Sequence, residues 1–360
     1  MFNILVDFPL TKKINIEKLG ITFRNFTKKE KNTILEYIDN VYLKNKKIIQ
    51  DAIKKYDIKD ELKLSIDLLK YDKLSQEVIM FCFISKKRGF TLNSIRKIKK
   101  LLDNMIIIDI NKDILSEYLS EEKFVIFISN ILSLYDIYSS DIHFNKNVKL
   151  DYSFILNRNI LNRKDNDYEL NLVINLIMSL DQKMAAMIEL SEDYLLCLKK
   201  FFSKLNKNEI RRFLNVIDLF YSDNMMIQNK ILNDVTLAES VLIKEGEDIK
   251  SNYILKSGLI LKHYAKGGES INKFIRDFLN YCYDIRSAIV HGNEEKILEI
   301  YNKAIQKNKS FKELARDIEE SYNNKKMKAL SLANTMCFIV NRAIIKYWLE
   351  NPSIVSYLKN

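Results

Sequence analysis

Apolar residues recur at helical spacing along most of this chain, so the pattern reads as a succession of amphipathic helices. Residues 28–57 carry Ile34, Leu35, Ile38, Tyr42, Ile48, Ile49 and Ile53 at near-helical intervals, and Thr27 with Glu30 three positions later predicts a capping box at their start. Beyond residue 206 the periodicity predicts helices over 208–221, 225–244, 251–266, 270–291 and 325–349, the last stopped before Pro352. The Ser270 hydroxyl is the expected cap of the fourth. Two segments read as strands. Residues 76–85 are rich in β-branched and aromatic side chains and end at a Lys-Lys-Arg-Gly turn; Met105–Ile110 is a weaker second. Residues 143–167 are polar and Asn-rich and read as an irregular connection. The expected fold class is mainly α, with an N-terminal region over 1–205 that is helical with room for a small β-sheet, and a helical domain over 206–352. No internal repeat or heptad run is visible.

Composition narrows the class without naming it. The chain has 360 residues, 47% hydrophobic and 29% charged, the profile of a globular protein rather than a disordered one. Only 7 Gly and 2 Pro interrupt it, which suits long helices, and five of the glycines (Gly246, Gly258, Gly267, Gly268, Gly292) fall within one short region. The formal charge of +11 permits a polyanionic partner, but Lys is spread along the chain with no basic tail. Cys82, Cys197, Cys282 and Cys337 are far apart and read as free thiols; with three scattered histidines, no metal and no cofactor is expected. The N-terminus lacks the pattern of a signal peptide, and the longest apolar run, 124–134, is too short to span a bilayer, so a cytoplasmic protein is expected.

The chemistry concentrates at the end of the helix predicted over 270–291. Stepping 100° per residue, Phe274, Phe278, Tyr281, Cys282, Ile285, Ala288 and Ile289 form a core stripe, while Asp277, Asn280, Asp284, Ser287 and His291 gather on another face. Asp284, Ser287 and His291 are spaced to touch in sequence along one edge. Arg286 supplies a permanent cation that can hold a phosphate, and His291 a group that moves protons near pH 7. On a regular helix, however, Arg286 lies about 140° round the axis from His291. Either the last turn unwinds before Gly292, or the working pair comes from two chains facing each other across a twofold axis. His143 and His263 read as surface residues, and the 19 Tyr and 19 Phe fall at core spacing rather than as a stacking platform for RNA.

Three segments together carry a family likeness: Leu237-Ala-Glu-Ser-Val-Leu-Ile-Lys-Glu-Gly-Glu247, Tyr253-Ile-Leu-Lys-Ser-Gly-Leu-Ile-Leu261 and Tyr283-Asp-Ile-Arg-Ser-Ala-Ile-Val-His-Gly292. They resemble the HEPN superfamily, and more closely its ApeA-like branch, over roughly residues 206–352. The resemblance implies a helical bundle that forms a homodimer and a metal-independent endoribonuclease, typically serving phage defence, abortive infection or a toxin–antitoxin pair. It implies Arg286 and His291 as the catalytic residues and matches Glu239 and Tyr283; together with Ser287 and Asp284, which the helix face places beside His291, these are the supporting polar positions. It also implies RNA as substrate, with an antitoxin or a phage-derived trigger as a further partner. A non-catalytic helical scaffold that dimerises and binds nucleic acid or protein is the alternative expectation.

Overall fold

The computed structural model describes residues 2–6, 10–56, 61–70, 76, 79, 105–120, 123–139, 187–188, 191–222, 226–265, 269–307, 311–313, 315–316, 322 and 324–353. It is mostly helical and divides into two compact units, 1–121 with 153–196, and 122–152 with 197–360.

The first unit is built on a small sheet of strand order β2-β3-β4-β1-β5. The strands are β1 Phe2–Val6, β2 Ile14–Ile16, β3 Ile21–Asn25, β4 Met105–Ile110 and β5 Met187–Ile188. β1 to β4 pair antiparallel, and the two-residue β5 runs parallel to β1. Ile106, Ile107 and Ile108 of β4 are wholly buried, and Ile21 and Phe23 of β3 alternate inward. Between β2 and β3 the chain turns at Gly20, which sits at φ +64°; a Cβ there would lie 2.9 Å from the Cβ atoms of Asn111 and Ile114. The strand expected at Met105–Ile110 is present. In the segment expected to be the better strand, Gln76 and Ile79 are helical, and the rest of 76–85 lies outside the described residues.

Helix α1 (Lys28–Lys55) opens with the expected capping box: the Thr27 hydroxyl accepts from Glu30 N–H, and the Glu30 carboxylate accepts from Thr27 N–H at 2.8 Å. The same carboxylate takes a bidentate pair from Arg24 on β3, at 2.9 Å to each oxygen, while Arg24 also reaches Asp109 on β4. The guanidinium holds the Glu30 carboxyl down at about 2. One arginine thus ties the start of a helix to two strands. α2 (Glu61–Leu68) and the short α3 (Lys112–Leu115) follow α1 in this unit.

The described elements of the second unit are all helices: α4 (Phe124–Ser139), α5 (Glu192–Lys204, which begins in the first unit's stretch), α6 (Lys207–Phe220), α7 (Ile227–Leu242), α8 (Ile249–Tyr264), α9 (Glu269–Val290), α10 (Glu294–Lys307) and α11 (Lys325–Glu350). α7, α8, α9 and α11 pack against one another as a bundle, with α10 against α9 and α11. α11 is buried on nearly every side, from Ala329 to Leu349, and is the hub of the core. α4 packs with these helices, on α6 and α11, although it precedes the polar connection in sequence. Among the described residues no helix is long and apolar enough to cross a membrane.

Near the end of α11, Trp348 meets Phe213 of α6 edge-on at 5.2 Å and Phe201 of α5 at 6.2 Å. All three are fully buried, so this cluster fastens α5 and α6 to the hub. Trp348→Ala leaves a cavity at that junction and is expected to cost about 3–5 kcal/mol. The denaturation midpoint followed by circular dichroism checks this, and an unchanged midpoint would show that the junction collapses freely.

Candidate active site

The site residues stand on α9, whose two faces are set by its sequence. Phe274, Phe278, Tyr281, Cys282, Ile285 and Ala288 are buried and Ile289 is half-buried, which reproduces the expected core stripe. The Tyr281 hydroxyl donates to the Ala329 carbonyl at 3.0 Å and anchors the stripe to α11. The helix stays regular through His291, whose N–H still bonds the Ser287 carbonyl at 3.1 Å. It then closes in a Schellman arrangement, with Asn293 N–H on the Ala288 carbonyl, Gly292 N–H on the Ile289 carbonyl and Gly292 at φ +63°. Asn293 also starts α10, its side chain accepting from Lys296 N–H at 2.9 Å. The last turn therefore does not unwind, and of the two ways to unite Arg286 with His291 the frayed helix end is ruled out.

The polar face of α9 forms one wall of a groove of about 700 Å³. Asp277, Asn280, Asp284, Ser287 and His291 line it, the same five residues that share a face on the helical wheel. Lys296, Glu299, Lys303 and Lys307 of α10 form the opposite wall, and apolar Ala288, Ile300, Ala304 and Phe311 contribute the floor. Two of the three carboxylates have a cation close by: Lys250 of α8 donates to Asp284 at 2.7 Å, and Lys296 to Glu299 at 2.9 Å. His291 is exposed at the groove end.

Arg286 faces elsewhere. Its Nη2 lies 3.7 Å from Glu239 Oε2 on α7, and its guanidinium stands 5.7 Å from the centre of the Tyr283 ring. The two side chains are 27% and 15% exposed, respectively, for Arg286 and Glu239. Arg286 Nε and Glu239 Oε1 are both buried without a hydrogen-bond partner, so the pair is loose and partly unsatisfied. Burial pushes the Glu239 carboxyl up against the opposing pull of Arg286. Burial also raises the Tyr283 hydroxyl, with Glu239 adding to the effect. Tyr283 in turn packs against Tyr253 at 5.7 Å and lies 5.8 Å from the Lys250 ammonium.

Two clusters result. Glu239, Tyr283 and Arg286 meet on the α7 side of α9; Asp284, Ser287 and His291 line the groove on the α10 side. Asp284 reaches toward both through Lys250, which lies near Tyr283. Within one chain, the guanidinium and the imidazole do not converge on a common point. Of the other histidines, His263 is exposed in the last turn of α8 beside Tyr264 and Tyr347, and His143 lies outside the described residues. Cys197, Cys282 and Cys337 are free thiols, the last two buried. Among the described residues no three His, Cys, Asp or Glu side chains gather as a metal site would require.

Sequence reasoning missed α10 and with it the lysine wall. Its signals were present: Asn293 as cap and buried Ile297 and Tyr301 at i, i+4. No protein-family profile, no curated protein and no solved structure matches the chain.

Proposed function

We propose that this protein is a metal-independent endoribonuclease of the HEPN type, acting as a homodimer with Arg286 and His291 as its catalytic residues. The observation that carries this reading is the exposed His291 at the end of a continuous polar edge in an open groove, on the same rigid helix that carries a half-buried Arg286. In the reaction, the RNA 2′-oxygen forms a bond to the adjacent phosphorus and the bond from phosphorus to the 5′-oxygen breaks. His291 accepts the 2′-hydroxyl proton, the departing 5′-oxygen takes up a proton from solvent, His291 later returns its own to solvent, and a 2′,3′-cyclic phosphate remains. Arg286 balances the negative charge that builds on the phosphoryl oxygens. Glu239 and Tyr283 act as positioning residues that hold the guanidinium. Because the two catalytic side chains diverge within a chain, each cleft takes its arginine from one protomer and its histidine from the other. The resemblance to defence and toxin proteins supports a role in phage defence or abortive infection.

His291→Ala and Arg286→Ala are each expected to lower RNA cleavage by about 10²–10⁴-fold. DNA of the same sequence, lacking the 2′-hydroxyl, should stay intact, and cleavage should persist in EDTA. Wild-type rates from both variants would remove the assignment. The divergence of Arg286 and His291 also favours a second reading, a non-catalytic dimerisation scaffold, under which purified wild-type protein binds a partner and cleaves no RNA.

A further inference from the structure

We infer that the groove between α9 and α10 is the track along which an RNA strand reaches His291, with Lys303 and Lys307 of α10 holding its backbone phosphates; this rests on the ribonuclease reading above. The groove runs from His291 and Lys296 at one end to Asp277, Lys307 and Phe311 at the other. From Asp277 to His291 the wall is 14 residues of helix, or about 20 Å. At roughly 6 Å per phosphate in an extended strand, that holds three to four nucleotides.

The lining is divided in the way such a strand needs. Lys296, Lys303 and Lys307 fall within about 40° of one another on α10, so their ammoniums form one row. Lys296 is occupied by Glu299, which also attracts Lys303, and Asp284 by Lys250, so Lys303 and Lys307 extend the row toward a phosphate chain. Across from them Asn280 and Ser287 offer donors and acceptors suited to 2′-hydroxyls and base edges. Small side chains at Ala288 and Ala304 keep the floor low between the polar walls. A pocket of polar walls over an apolar floor is the usual form of a ligand groove. A peptide would also fit the length, but the lysine row favours a polyanion.

The test uses the full chain carrying His291→Ala, so that RNA survives the measurement, and a fluorescent single-stranded 12-nucleotide RNA followed by anisotropy across a salt series. Adding Lys303→Glu and Lys307→Glu is expected to weaken binding about tenfold or more and to flatten the salt dependence by the equivalent of one to two phosphate contacts. The control adds Lys199→Glu and Lys200→Glu on α5, which do not line the groove, and should bind like the parent. Equal binding by the groove variant and its parent overturns the inference, as does an equal loss in the control, or binding of an acidic peptide in place of RNA. Cleavage by the wild type is read separately. A protein that binds through the groove without cutting keeps the track and loses the ribonuclease assignment; one that cuts regardless of Lys303 and Lys307 does the reverse.

Discussion

An equimolar mixture of the Arg286→Ala and His291→Ala variants, dissociated and reassembled together, is expected to recover about a quarter of wild-type RNA cleavage, although either variant alone retains about a hundredth or less. The expectation follows from the divergence on α9. Arg286 is turned toward Glu239 of α7 at 3.7 Å, His291 lines the groove with α10, and the helix between them is regular to its Schellman cap. If each cleft is shared, a mixed dimer has one cleft with both residues intact and one with neither. Half of randomly formed dimers are mixed, and half of their clefts work, which gives the quarter. If one chain supplied both residues, no mixture would recover anything. Sedimentation of the mixture establishes that dimers are present, so that an inactive dimer is a clear refutation of the shared cleft.

The second large effect lies in the bundle core. Asp234 on α7 is buried, and its Oδ1 accepts from Asn341 Nδ2 on α11 at 2.9 Å, while Asp234 Oδ2 and Asn341 Oδ1 are both buried without partners. One proton on Oδ2 would satisfy both orphans, since the acid would then donate to the amide oxygen and close a two-bond ring. Desolvation pushes this carboxyl up to about 7, against the pull of Lys230 on the same helix. Around it, Tyr253 of α8 and Cys337 of α11 are themselves driven up by their surroundings and stay neutral, while Arg286 of α9 is engaged with Glu239.

Because the folded value exceeds the unfolded one, the folded state holds the extra proton. The contribution to stability is complete below pH about 4 and is lost as pH rises through about 7, at a slope of roughly 1.4 kcal/mol per unit and about 4 kcal/mol in all. Asp234→Asn supplies the same ring at every pH, so its advantage over wild type is expected to grow from pH 5 to 7 and then level off. Trp348, the only tryptophan, reports this unit by fluorescence during urea titration. A constant difference between the two proteins across that range would mean that Asp234 is ionised throughout.

What was legible in the sequence follows from how local each cause is. The core stripe of α9, its polar edge and the 140° separation of Arg286 from His291 all depend on helical geometry alone, and each recurs in the structure. The Thr27 capping box spans four residues and was equally readable. β2 and β3 are only three and five residues long, too short for alternation to stand out, and β1 and β5 take their places by pairing with distant or brief partners. The Asp234–Asn341 bond joins residues 107 positions apart, and nothing in either local sequence marks them as partners. Glu239 was singled out from the resemblance, but its loose grip on Arg286 is a product of how α7 lies on α9.

The corner at Gly292 and Asn293 has a consequence for how such a protein can change. These two residues end one helix and begin the next, so the spacing of the groove walls is fixed by the shortest of connections. A chain that drifts by insertion in loops away from α9 and α10 keeps its groove; one residue added between 291 and 294 would swing α10 by a sizeable fraction of a helical turn and resize the groove at a stroke. Loop length there is thus a dial on ligand width, open to selection or to a protein engineer, that leaves every side chain of α9 unaltered.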